Sequence, residues 1–248
     1  MKQFLVILLN LICQAVHCQY PFEKYPQPVY EEFKDWKLYD WSETTHTINH
    51  TLTIESFFQN EPLIIQLTSS TEDMWENSSI RIFRGQTQIQ KLTEDMAFST
   101  LNVFEPVRIA DLTNDGLKDL KLLIPYLGNG IAALNTRVIY LIQNKNNEFT
   151  KISFNDKMSV HRSERDVDKD GTFEVITMKL DSYENHSYWT FNIFEFTKSG
   201  LINANEKDNY PIMIQYLFRE NFEVTDKMSR SDMKSYALKQ PEAYDCEK

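Results

Sequence analysis

Two segments of the sequence carry oxygen side chains at a spacing that suits a hard cation. The first runs Asp111-Leu-Thr-Asn-Asp-Gly-Leu-Lys-Asp119 and the second Asp166-Val-Asp-Lys-Asp-Gly-Thr-Phe-Glu174. In each, oxygen side chains stand at positions 1, 3, 5 and 9, with glycine at position 6. Ca²⁺ takes roughly six to eight oxygen ligands at about 2.3–2.6 Å. Alternate residues of a tight loop turn their oxygens inward, position 7 adds a backbone carbonyl, and glycine allows a turn that a Cβ opposes. The predicted ligands of the second loop are Asp166, Asp168, Asp170 and Glu174, with the carbonyl of Thr172. Those of the first are Asp111, Thr113, Asp115 and Asp119, with the carbonyl of Leu117. Thr113 is neutral where an acid or Asn is usual, so the first site is expected to be the weaker. The plain alternative for each loop is a solvated, metal-free hairpin turn. Against it, the two copies use two of only six glycines in the chain.

Neither loop is an EF-hand. Position 12, where that motif needs a bidentate Glu, holds Leu122 in one loop and Thr177 in the other. The flanks of the first loop read as strands, Val107–Ala110 before it and Leu120–Ile124 after it. Acidic loops set between strands in this way resemble the FG-GAP/VCBS family of repeats, whose Asp-x-Asp-x-Asp-Gly-x-x-Asp loop occurs in each β-propeller blade. The two loops start 55 residues apart, close to one blade. A full propeller needs more blades than about 230 residues and two loops supply. The resemblance therefore implies a partial or degenerate β-propeller-like fold with calcium loops between strands.

The elements that must position the loops read as mainly β, in antiparallel sheets. Short alternating runs rich in β-branched and aromatic residues cover Thr47–Phe57, Leu63–Ser69, Ser79–Phe83 and Thr87–Leu92, with Gly85 in a hairpin turn between the last two. Further strands are predicted at Val107–Ala110, Leu120–Pro125, Arg137–Gln143, Glu148–Phe154, Glu174–Leu180, Ser187–Phe196 and Pro211–Phe218. Alternation turns Trp189, Phe191 and Ile193 to one face and Tyr188, Phe194 and Phe196 to the other, which predicts a strand buried on both faces, with exposed aromatic anchors at an interface as the alternative. A short C-terminal helix is predicted over Asp226–Gln240, stopped by Pro241. Residues 19–41, with Pro21, Pro26 and Pro28, are expected to form an extended aromatic lead-in that packs on a single domain spanning 42–248.

A second resemblance covers about a third of the chain. From Ser79 to Phe154 the order is a hairpin (SSIRIFRGQTQIQKL), the first acidic loop (DLTNDGLKDLKLLI) and a strand pair ending YLIQNKNNEFTKISF. That order is similar to a family of periplasmic calcium-binding β-proteins that inhibit peptidoglycan hydrolases injected by rival bacteria. It implies a protein partner, with a cell-wall hydrolase as one candidate, and it carries over no contact residue beyond the calcium loops.

Composition narrows the classes. The chain has 248 residues, 42% hydrophobic and 25% charged, enough for a sizeable core and unlike a disordered protein. Its formal charge of −10 repels phosphate backbones, so nucleic acid is not expected as a partner. Lys2 and the apolar run Phe4–Val16 read as a signal peptide over residues 1–18, too short to span a bilayer. The expected location is therefore exported, periplasmic or secreted, with no transmembrane segment in the mature chain. Lipid anchoring at Cys18 is the alternative, against which the bulky His17 stands. Removal of residues 1–18 leaves Cys246 without an internal disulfide partner. His46 and His50 lie four apart, but on a segment that reads as a strand this does not imitate a helical zinc pair. With His161 and His186 they are expected to have surface or packing roles, and no nucleophile elbow or phosphate-cradling loop is present. The expected function is non-enzymatic: a Ca²⁺-binding protein that recognises a protein or an envelope glycan through ion-braced loops. The rival readings are a glycan-active enzyme with structural calcium and a purely structural envelope protein.

Overall fold

The structure, a computed structural model, describes residues 20–72, 78–98, 105–126, 128–217 and 228–248. The segment read as a signal peptide lies outside them. Among the described residues, a short strand β1 (Glu31–Phe33) precedes a meander of β2 (Lys37–Ser42), β3 (Thr47–Phe58), β4 (Glu61–Ser70), β5 (Ser78–Arg84) and β6 (Thr87–Glu94). A second meander follows, with β7 (Val107–Ala110), β8 (Asp119–Pro125), β9 (Asn135–Gln143) and β10 (Phe149–Lys157). The third group is β11 (Val175–Tyr183), β12 (His186–Thr197), β13 (Gly200–Asn203) and β14 (Ile212–Gln215). One short helix, α1 (Arg230–Lys234), and β15 (Glu242–Glu247) come last.

The fold is mainly β, as the sequence predicts, and the strands among the described residues make three antiparallel sheets. The first has the order β2-β3-β4-β5-β6 and the second β1-β7-β8-β9-β10-β15. In the third, β11, β13 and β14 all pair with β12. The second sheet thus gains β1 on one edge, from the lead-in, and β15 on the other.

Side-chain alternation stacks the sheets. On β8 and β9, Leu120, Leu122, Ile124, Ile139 and Leu141 face a core shared with Leu52, Leu63, Ile65 and Ile82 of the first sheet. The intervening Leu123, Val138 and Tyr140 face Val175, Phe194 and Leu201 of the third sheet. The middle sheet is therefore covered on both faces, which is why β8 and β9 are nearly continuous buried runs. Burial of each such side chain is worth about 1.5–3 kcal/mol. The third sheet is also buried on both faces. Trp189, Phe191 and Ile193 face an outer core with Phe22, whereas Phe194 and Phe196 face the inner one, as the alternation predicts.

Two expectations change. The lead-in is not simply extended: Pro21–Lys24 forms a 3-10 turn, and β1 and β2 are strands paired to β7 and β3. Proline suits the start of such a turn, where its missing N–H has no partner to lose. Phe22 of that turn stacks on Tyr20 and packs against Phe191. The C-terminal helix predicted over Asp226–Gln240 is only five residues long in its described part, Arg230–Lys234. Asp226 and Lys227, like Phe218 of the strand predicted before them, lie outside the described residues. Ser229 and Asp232 form a capping box at the helix start. Beyond the helix the sheet captures the backbone: Leu238 N–H donates to Asn192 Oδ1 at 2.9 Å, and Asn203 Nδ2 donates to the Leu238 carbonyl at 2.5 Å. Those tertiary hydrogen bonds compete with the next helical turn. Among the described residues, no helix is long and apolar enough to cross a membrane.

Candidate metal centre

The two acidic loops repeat one hydrogen-bonding scheme. Each is closed by an antiparallel pair between the residue before position 1 and position 9, Ala110 with Asp119 and Arg165 with Glu174. In each, the position-9 carboxylate accepts the N–H of position 2: Leu112 to Asp119 at 2.9 Å, Val167 to Glu174 at 2.8 Å. The position-1 aspartate accepts the glycine N–H, Gly116 to Asp111 at 2.8 Å and Gly171 to Asp166 at 3.3 Å. Asp115 and Asp170 each accept the N–H two residues on, from Leu117 and Thr172. Asn114 and Lys169 both sit in the left-handed region at position 4, followed by Gly116 at φ 81° and Gly171 at φ 91°. Leu112 and Val167 are both buried and anchor the loops to the layers below.

The loops also touch. Phe173 N–H donates to the Leu112 carbonyl at 3.0 Å, and Asn114 Nδ2 reaches the Asp170 carbonyl at 3.5 Å. A Cβ on Gly171 would stand 2.6 Å from Asn114 Nδ2. Gly171→Ala is therefore expected to cost about 2 kcal/mol, from left-handed strain plus this contact. Adding Asn114→Gly, which removes the obstructing amide, should return only the contact part. Urea unfolding of the two single variants and the double variant measures that coupling.

The ligand sets differ in how much of each carboxylate is free. In the second loop, Asp166, Asp168 and Glu174 bring one oxygen each within 4.8 Å of one another. That span suits oxygens disposed around one ion at about 2.4 Å. Asp166 Oδ1 is buried with no hydrogen-bond partner, an oxygen whose desolvation the protein itself leaves uncompensated. An all-oxygen donor set with such an orphan fits a hard divalent cation. Asp170 is exposed and has one oxygen turned to Thr172 N–H. In the first loop, both Asp111 oxygens are taken by loop amides, from Asp115 and Gly116. Both Asp119 oxygens are likewise engaged, by Leu112 N–H and by Gln143 N–H at 3.0 Å. Burial nevertheless pushes the Asp119 carboxyl up to about 7, against those two bonds. Thr113 Oγ1 is buried without a partner, the one predicted side-chain ligand of this loop left so. Asp111, Asp115 and Asp119 do not converge as the second loop's acids do.

Three groups at the second loop carry no signal in the motif. The Lys207 ammonium donates to Asp168 Oδ2 at 2.5 Å, to Glu174 Oε1 at 3.1 Å and to Glu195. Lys207 lies in the charged run Glu206-Lys-Asp208, which reads as an ordinary surface turn. Glu195 is the more legible, an acid between Phe194 and Phe196 on a buried strand. The lead-in completes the setting, because Asp166 N–H donates to the Pro26 carbonyl and the Arg165 guanidinium to the Tyr25 carbonyl. Compared with known proteins, the chain matches no family model, no curated protein and no solved structure.

Proposed function

We propose that the chain is an exported calcium-binding β-protein that recognises another macromolecule through loops braced by the ion. The observation that carries the metal reading is the buried, unpartnered Asp166 Oδ1 in a three-carboxylate group with Asp168 and Glu174. The second loop is the principal site and the first, with Asp111 and Asp119 already satisfied by amides, the weaker one. An ion that orders both loops beforehand spares a partner that entropic cost. The net charge of −10 favours a basic partner. A peptidoglycan hydrolase is the candidate that the resemblance of Ser79–Phe154 supplies, and export rests on residues 1–18.

Extracellular calcium modules bind at roughly 10⁻⁴–10⁻³ M, so about 10 mM Ca²⁺ should add about 1.4–2.7 kcal/mol of stability. For a chain of this length that corresponds to a Tm rise of roughly 3–10 °C over the value in chelator. Asp166→Asn and Asp170→Ala are each expected to blunt the rise, as scanning calorimetry would record. An unchanged Tm in wild type would reduce both loops to hydrogen-bonded turns and remove the main support of this reading.

A further inference from the structure

The second loop already holds a cation of its own. Lys207, in the turn after β13, places its ammonium against Asp168 Oδ2 and Glu174 Oε1, two of the predicted ligands, and against Glu195, which is not one. The Glu174 carboxylate is fully buried and its other oxygen is held by Val167 N–H. Oε1 is therefore the oxygen that an incoming ion needs and that the lysine occupies. The ammonium does not reach Asp166 Oδ1, so it covers the outer part of the group and leaves the inner oxygen bare. One lysine also cannot balance Asp166, Asp168, Asp170, Glu174 and Glu195 together. Among the described residues, no ammonium or guanidinium pairs with Asp111, Asp115 or Asp119 in this way.

We propose that Lys207 is a tethered counter-ion of the second loop, which competes with the divalent ion and must release Asp168 and Glu174 before the ion enters. This rests on the calcium reading of that loop. Glu195 gives the displaced amine somewhere to stay: it belongs to β12 rather than to the loop, and it is accessible enough to keep the ammonium hydrated. The arrangement holds the loop's carboxylates together without metal and raises the ion concentration at which the loop fills. A monovalent cation gains too little from the group to displace the lysine, whereas a divalent one gains about twice as much per contact.

The test compares wild type with Lys207→Met and Lys207→Gln, using Ca²⁺ alone as the probe in titration calorimetry. Both variants should bind Ca²⁺ roughly three- to tenfold more tightly, because the competing charge-assisted bonds are gone. In chelator both should melt lower than wild type, and added Ca²⁺ should restore them. In wild type, labelling of Lys207 by an amine-reactive reagent, read by mass spectrometry, should rise when Ca²⁺ is added. Equal or weaker Ca²⁺ binding in both variants, with labelling unchanged, would overturn the counter-ion role and leave the calcium reading standing. Absence of Ca²⁺ binding in all three proteins would overturn both.

Discussion

Replacing Lys121 with methionine is expected to cost about 3–5 kcal/mol of folding stability at neutral pH, the usual penalty for orphaning a buried charge. Lys121 on β8 is a buried lysine beside Val138, Tyr140 and Val175, between the second and third sheets. Its ammonium pairs with Glu164 at 2.7 Å and donates to the Arg162 carbonyl at 3.3 Å, with both side chains of the ion pair buried. The hydroxyls of Tyr30 and Tyr140 also donate to Glu164. Burial tends to raise the Glu164 carboxyl, but the ammonium and the two phenols prevail and hold it below its ordinary 4.5. Wild type therefore has this contribution in full above about pH 4.5 and loses it as pH falls through the lower folded value. In Lys121→Met burial wins, the carboxyl rises above its ordinary value, and the penalty grows as pH climbs towards neutrality. The deficit should thus be largest near neutral pH and shrink in acid, as urea unfolding at several pH values would show. Lys121→Met with Glu164→Gln should recover much of the loss, since neither charge of the pair is then left buried alone. A deficit that is flat with pH, or a double variant no better than the single, would mean that methionine merely packs badly. The pair bears on the site because Glu164 stands two residues before Asp166, at the entry to the second loop.

The loops and most strands were legible because their signals are local. Position 6 glycine, the acids at alternate positions and the strand flanks all lie within a dozen residues, and β7 falls where the sequence predicts it. What was not legible depends on partners far along the chain. β1 and β15 are edge strands that exist because β7 and β10 offer unpaired edges, and Glu31–Phe33 has no strand pattern of its own. Leu238 has its backbone drawn off by Asn192 and Asn203, which no helix-stop signal announces. Lys207 reaches Asp168 and Glu174 across 39 and 33 residues. Spacing within the motif also said nothing of which oxygens the loops' own amides already use, and that is what separates the first site from the second. The two loops are alike in backbone and unlike in free carboxylate.

Asp119→Ala is expected to cost about 3 kcal/mol, whether or not calcium is present. Its two oxygens accept from Leu112 N–H and Gln143 N–H, all within the buried junction of β7, β8 and β9, and each abandoned donor costs about 1–3 kcal/mol. Asp119→Asn keeps a single carbonyl acceptor and should lose about half as much. In chemical denaturation with chelator, this order (wild type, Asn, Ala) should appear with an unchanged m value. The same variants separate structure from ion binding. Because both Asp119 oxygens are engaged inside the fold, Asp119→Ala should retain most of the Ca²⁺-induced rise in Tm, whereas Asp166→Asn should lose most of it while costing little in chelator. Asp166 Oδ1 gives up no hydrogen bond on substitution, since it makes none, so the larger part of its effect falls on the metal-bound state. The reverse pattern, with Asp119→Ala abolishing the rise and Asp166→Asn leaving it intact, would move the principal ion to the first loop, where the deeply buried Asp119 carboxylate and the unpartnered Thr113 hydroxyl would then be its inner ligands.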